Sequence, residues 1–176
     1  MGIRNYLIEG VSGTGKTTVA GELEHRGYHV IHGDRVLASV GDPVTGKQLT
    51  RLPSKHESDS PEWKHKHWVW DESKVRSLTA NRDHAITFFC GGSRNLARFV
   101  DMFDAVFVLD IDAETLKRRL EGRPEDEFGG RPDEQELILR LHATKKDIPK
   151  DGIMIDATAP VGQVVDEILA RCGLTH

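Results

Sequence analysis

The sequence predicts an α/β fold in three layers, with a parallel sheet between two layers of helices. Three observations predict it. Five apolar segments of strand character alternate with segments of helical periodicity. One of them, Ala85-Ile86-Thr87-Phe88-Phe89-Cys90, is apolar almost without interruption, as a strand buried on both faces requires. Another, Tyr6-Leu7-Ile8, runs directly into a glycine-rich turn and then a helix.

The elements follow in order. The helix after the first turn covers 16–26 and stops at Gly27, a residue at ease in the left-handed conformation that ends helices. Tyr28-His29-Val30-Ile31 is the second strand. Residues 41–60, rich in Gly, Pro, Thr and Ser, read as a loop. Ser60-Pro61 joins an N-cap to a proline at the first helical position, so a helix is predicted from there to about Asn81. Gly91-Gly92-Ser93 ends the third strand, and a helix through Leu96, Phe99 and Val100 is expected next. Ala105-Val106-Phe107-Val108-Leu109 is the fourth strand, and Asp112 caps a helix carrying Leu116 and Leu120. A charged, Gly-containing insert over 123–132 precedes a helix from Glu134 to about Asp147. Ile153-Met154-Ile155 is the last strand. Pro160 opens the final helix, with Val161, Val164, Val165, Ile168 and Leu169 as its apolar stripe.

The 176 residues suit one domain, here expected to span 1–176. Charged residues make up 30% and the net charge is -4, so no general basic field attracts nucleic acid or an anionic membrane. Lys64 and Lys66 form a local exception that leaves a base within a polynucleotide as one acceptor to weigh. No apolar run approaches the ~20 residues of a membrane span. The first residues lead straight into a strand, without the pattern of a signal peptide. A soluble, cytoplasmic chain, monomeric or homodimeric, is the expectation. Met1-Gly2 opens a myristoylation pattern, but Tyr6 stands where Ser or Thr is needed. Cys90 and Cys172 are expected to be reduced thiols.

Gly10-Val11-Ser12-Gly13-Thr14-Gly15-Lys16-Thr17 matches G-x-x-x-x-G-K-[ST] in full, with a strand before it and a helix after it. Glycines let successive backbone N–H groups turn inward and cradle phosphate oxygens at a helix N-terminus. Gly10, Ser12, Gly13, Thr14, Gly15, Lys16, Thr17 and Thr18 are thus assigned to ATP. Lys16 bridges the terminal phosphates, and Thr17 offers its hydroxyl to Mg2+. A glycine turn that matches by accident would lack the strand and helix in register.

On these residues, and on a charged segment nearer the C-terminus, the chain resembles the small P-loop kinases: adenylate, shikimate and gluconate kinases and their nucleoside or nucleotide relatives. The resemblance runs nearly the whole length. It implies a three-layer P-loop NTPase fold with a five-stranded parallel sheet, an acceptor-binding insert over about 35–81 and a lid over about 121–133. It also implies transfer of the terminal phosphate of ATP to an alcohol or phosphate acceptor. In adenylate-kinase-like enzymes an R-x-x-x-R pair opens the lid and a G-R-x-D segment closes it. Arg119 with Arg123, and Gly130-Arg131-Pro132-Asp133, match that layout. By resemblance Arg119 stacks on adenine and Arg123 and Arg131 contact phosphates, while Arg140 reaches in from the next helix. Guanidinium groups suit the spread charge of a migrating phosphoryl group, and closure excludes water. A solvated, charge-balanced loop also fits, since Glu121, Glu125, Asp126 and Glu127 sit among the arginines. Ala159, within Ile155-Asp156-Ala157-Thr158-Ala159-Pro160, falls where the family wraps a loop around adenine. A plain strand-to-helix turn explains the same residues.

On the acceptor side, Asp34 follows the second strand at the end where ligands bind in open α/β sheets. Shikimate- and gluconate-kinase-like chains use an Asp there on the acceptor hydroxyl or the metal shell, so Asp34 is assigned as catalytic, acceptor-binding and metal-associated. A helix N-cap is the alternative. Arg35, Trp70, Gly91, Gly92 and Arg94 complete the acceptor assignment together with Arg140. Trp70 is taken as one of a helically spaced set with Trp63, His67, Lys74 and Leu78, some of which would simply pack. His65 and His67 diverge on a helix, which argues against a structural metal there. Cys90 stands where adenylate-kinase-like chains carry an Asp that supports magnesium through water, which shifts weight to Thr17 and Asp34. The leading reading is a kinase of a nucleoside, nucleotide or related compound. The alternatives are a kinase of a small polyhydroxy acid or sugar, and a regulatory P-loop ATPase without a small acceptor.

Overall fold

The computed structural model describes residues 3–174. The strands are β1 (Arg4–Glu9), β2 (His29–His32), β3 (Ala38–Val40), β4 (Trp68–Trp70), β5 (Ile86–Cys90), β6 (Ala105–Asp110) and β7 (Ile153–Asp156). The helices are α1 (Lys16–His25), α2 (Gly33–Val36), α3 (Lys55–Ser58), α4 (Pro61–Lys66), α5 (Glu72–Ala80), α6 (Ala113–Glu121), α7 (Pro132–Thr144) and α8 (Val161–Arg171). Five strands form one parallel sheet in the order β2-β5-β1-β6-β7. The order reverses direction around β1, so the turn after β1 sits at the switch point where such sheets bind ligands.

Side-chain alternation along the strands separates two cores. Tyr6, Ile8, Phe88, Phe107 and Leu109 point to one face, where Val19 and Leu23 of α1 and Val164, Val165 and Ile168 of α8 cover them. Leu7, Ile31 and Phe89 point to the other, under Leu37, Trp70, Val75, Phe99 and Phe103. A strand that feeds both cores has no polar face to show, which is why β5 reads as an unbroken apolar run.

Three elements differ from the prediction. The helix expected from Pro61 to about Asn81 is cut in two by β4, which pairs antiparallel with β3 as Ala38↔Trp70, Ser39↔Val69 and Val40↔Trp68. Trp-Val-Trp is a strand-forming triplet once a partner strand exists, and Asp71 then caps α5 by accepting from the Lys74 amide at 3.1 Å. Trp63 and His67 keep the predicted helical spacing and stack at 4.2 Å, but Trp70 leaves that face. The helix expected through Leu96 and Val100 is two short 3-10 turns. Asn95 explains the change: its side-chain amide accepts from the Trp70 N–H at 3.0 Å and donates to the Trp70 carbonyl at 2.9 Å, completing the edge of β4 instead of a helix. Helix α7 ends at Thr144 with Lys145 in a left-handed turn, which leaves Asp147 off the helix and facing the sheet ends. The Met1-Gly2 pattern lies outside the described residues.

Candidate active site

The loop between β1 and α1 bends through positive φ at Gly10, Gly13 and Gly15. Gly15 is the N-cap of α1 at φ 106, a conformation costly for any residue with a Cβ, and it leaves the helix N-terminus open. Thr14 is buried and closes the loop, its hydroxyl donating to the Val11 carbonyl at 2.8 Å. The Lys16 ammonium donates to the Gly10 carbonyl and to that of Val11. Burial pulls Lys16 below the usual lysine range, while the carboxylates of Asp34 and then Glu9 hold it partway up.

A cleft of about 860 Å³ opens over this loop. Ser12 through Val19 line one wall, Ala157 through Val161 another, and Asp34, Arg119, Arg123 and Phe128 close the sides. Arg119 spans it, donating to the Gly13 carbonyl and to the Ala157 carbonyl, each at 3.4 Å. Arg123 donates to the Ser12 hydroxyl at 2.9 Å and to the Phe128 carbonyl at 2.7 Å. Helix α6 presents Arg119 in its last turn, and Arg123 follows just past the C-cap Gly122. Arg131 and Arg140 go elsewhere. Arg131 lies 3.3 Å from Glu134 and 3.5 Å from the carbonyl of Asp59 in the insert. Arg140 pairs with Glu62 of α4 at 3.0 Å in a largely exposed contact. Both arginines tie the lid side to the insert and line no part of the cleft.

On the acceptor side, Asp34 occupies the first turn of α2 and faces Gly91. Gly91 has φ 143, and a Cβ there would stand 2.7 Å from the Asp34 carboxylate and 2.8 Å from the Trp70 ring. The same ring blocks a Cβ on Gly33 at 2.1 Å. Trp70 is 1% exposed and stacks on Phe99, so it is a buried prop under Gly33 and Gly91, not a surface for an acceptor. The accessible aromatic is Trp68, 37% exposed, whose indole N–H donates to Asp34 at 3.4 Å. Helical spacing picked Trp70; in the strand Trp68 shares its face but stands at the open start of β4. Arg35 is exposed on α2. Gly92 packs against Glu9, with a Cβ position 3.0 Å from that carboxylate. Arg94 is mostly buried between two acids, Glu9 and Asp147, each at 3.4 Å.

Glu9 and Asp147 were not among the residues expected at the site. The signal for Glu9 was present: an acid ends an apolar strand immediately before the phosphate loop. Burial pushes its carboxyl from 4.5 up to about 7 against the pull of Arg94 and Lys16, and its Oε2 has no partner among the described residues. Asp147 also holds His65 of α4 at 2.8 Å. Burial pushes the Cys90 thiol up to about 12, so it supplies no charge at the end of β5. Both cysteines are free.

The side chains present suit a magnesium ion. Thr17 and Asp34 line the same cleft with oxygen donors, and no cluster of three His, Cys, Asp or Glu that could hold a metal appears among the described residues. Mg2+ takes one or two protein oxygens and completes its shell with phosphates and water.

A phosphate-cradling loop at the switch point of a parallel sheet, with arginines poised over it, defines a P-loop nucleotide-binding protein. The chain belongs to the AAA domain family, whose model matches residues 7–140. Comparison with curated protein sequences returns no match. Among solved structures it is similar to a shikimate kinase from Bacteroides thetaiotaomicron, at 14% identity over 97% of this chain and 99% of that one, with a TM-score of 0.60. It is also similar to a gluconokinase from Sinorhizobium meliloti 1021, at 16% identity over 95% and 90% of the two chains, TM-score 0.54. A third is deoxyadenosine kinase from M.mycoides with bound dATP, at 15% identity over 96% and 99%, TM-score 0.53. These likenesses establish the fold of small P-loop kinases. No described helix is long and apolar enough to cross a membrane.

Proposed function

We propose that this chain is an ATP-dependent phosphotransferase that moves the terminal phosphate of ATP to a small acceptor, a nucleoside, nucleotide or related compound. The observation that carries the reading is the placing of Asp34. It lines the same cleft as the phosphate loop, and it is the carboxylate that acts most strongly on the Lys16 ammonium. An acceptor hydroxyl held between Asp34 and the loop would stand in line for attack on the terminal phosphate.

In this mechanism the loop N–H groups and Lys16 hold the phosphates. Asp34 orients the acceptor hydroxyl and takes its proton as the new P–O bond forms and the bond from the terminal phosphorus to the bridging oxygen breaks, with ADP as the leaving group. Arg119 covers the adenine beside Ala159, and Arg123 meets the charge that spreads over the transferring group. Arg131 joins them once it leaves Glu134 and the Asp59 carbonyl. Thr17 and Asp34 would hold Mg2+, which when bound offsets charge on the phosphate oxygens. Gly91 and Gly92 let the acceptor approach the backbone.

The test is ATP consumption by the wild type, Lys16→Ala and Asp34→Asn against a panel of nucleosides, nucleotides, sugars and sugar acids. One acceptor class should stimulate turnover strongly. Lys16→Ala should abolish transfer with the fold intact, and Asp34→Asn should lower kcat far more than ATP affinity. Turnover retained in Lys16→Ala would refute the proposal.

A further inference from the structure

Beside the cleft, past the end of β5, stands an arginine whose charge is already taken. The guanidinium of Arg94 lies 3.6 Å from where a Cβ on Gly92 would stand, next to the Gly91 that faces Asp34. Here Glu9 holds it from β1 and Asp147 from the turn after α7, each at 3.4 Å. Both contacts are sheltered: Glu9 is 3% exposed and the Arg94 side chain 15%. Asp34 adds a third carboxylate beside Gly91. His65, on Asp147, is held below the usual histidine range by burial and by Arg94, and adds no positive charge at neutral pH. Lys16 belongs to the phosphate loop. Two acids therefore hold one guanidinium while Asp34 stands nearby, and since Glu9 is only partly ionised around pH 7, Asp147 and Asp34 supply most of the negative charge that a phosphate or carboxylate brought there would meet.

The unpaired polar atoms point the same way. Of the buried polar atoms without a hydrogen-bond partner among the described residues, Glu9 Oε2, Ser93 Oγ and Arg94 Nε lie at the strand ends around the acceptor side. This set mixes acceptors with donors. Hydroxyl groups do both, whereas a phosphate or carboxylate group only accepts.

We propose that Glu9 and Asp147, by occupying Arg94, make the acceptor site select uncharged polyhydroxy compounds, the sugar or nucleoside class, over their phosphorylated or carboxylated counterparts. This rests on the kinase reading and narrows its acceptor. Glu9 and Asp147 act through Arg94 as specificity-determining residues.

The experiment uses acceptor pairs that differ chiefly in the charged group: a nucleoside and its 3′-monophosphate, an alditol and its aldonic acid. The wild type should show a kcat/KM at least tenfold higher for the uncharged member. Glu9→Gln and Asp147→Asn should each shrink that ratio at least threefold. Glu9 is only partly ionised near pH 7 and Asp147 is partly exposed, so Asp147→Asn is the deciding variant. A wild type that prefers the anionic member, or ratios unchanged in the variants, would overturn the proposal. A second measurement does not depend on turnover. With ADP filling the phosphate loop, calorimetric titration with sulfate should show binding at least tenfold tighter in the variants than in the wild type. Equal affinities would overturn the proposal. Failure of every acceptor to turn over would count against the kinase reading alone, and the sulfate titration would still decide this one.

Discussion

Glu9→Gln makes stability respond to pH in a way that isolates one carboxyl. Glu9 is buried beside Arg94 and Lys16, with Asp147 and Asp34 contributing from farther off, and burial raises it from 4.5 to about 7. The native state therefore holds the proton more tightly than the unfolded chain. Its stabilising contribution is complete below pH 4.5 and is lost as pH rises through about 7. At 1.36 kcal/mol per pH unit the loss amounts to about 3 kcal/mol. Glutamine has nearly the same shape and stays neutral, so the variant should match the wild type near pH 4.5 and exceed it by up to about 3 kcal/mol at pH 8. For a domain of this size that is a Tm higher by roughly 6–12 °C. Urea and thermal unfolding of both proteins from pH 4.5 to 8.5 measure the difference, in which titrating groups that do not interact with Glu9 cancel. A difference that does not change with pH, or a wild type that gains on the variant as pH rises, would refute the reasoning.

Other outcomes follow from the same geometry. Gly91→Ala should destabilise the fold by about 1–3 kcal/mol and lower turnover, because its Cβ meets Asp34 and Trp70 in a backbone conformation that disfavours it; chemical unfolding and steady-state rates read both. Arg123→Ala removes the contacts to Ser12 and Phe128, and should cut kcat by about 10²–10³ at nearly unchanged Tm. Trp68→Phe keeps a ring on β4 but removes the donor to Asp34, so acceptor KM should rise a few-fold while ATP binding, followed by calorimetry, holds. Burial raises Cys90 to about 12 and Cys172 to about 11, so neither thiol should react with a disulfide reagent at pH 8 until the protein is unfolded.

The phosphate loop was readable from eight consecutive residues because its function is local. Glycine angles, inward N–H groups and the start of a helix are all properties of that short stretch. The central strands β1, β5 and β6 were readable for a related reason: burial on both faces leaves a run of apolar residues, whereas the edge strands β2 and β7 are only partly buried. The pair Arg119 and Arg123 was legible as an R-x-x-x-R pattern at a helix end, although Arg123 reaches the loop from the turn past Gly122.

What escaped the sequence lies in contacts between distant segments. Trp68-Val69-Trp70 becomes a strand because Ala38–Val40 offers it an edge, and no local periodicity records that edge. Arg131 and Arg140 carry the right chemistry for a phosphate clamp, yet Asp59 and Glu62 of the insert draw them aside. Glu9 and Arg94 stand 85 positions apart and meet only because β1 and β5 are neighbours in the sheet. The nucleotide half of the cleft is thus written in short-range backbone geometry. The acceptor half depends on how charges from four separate segments balance once the chain has packed them out of water, and burial sets the strength of every one of those pairings.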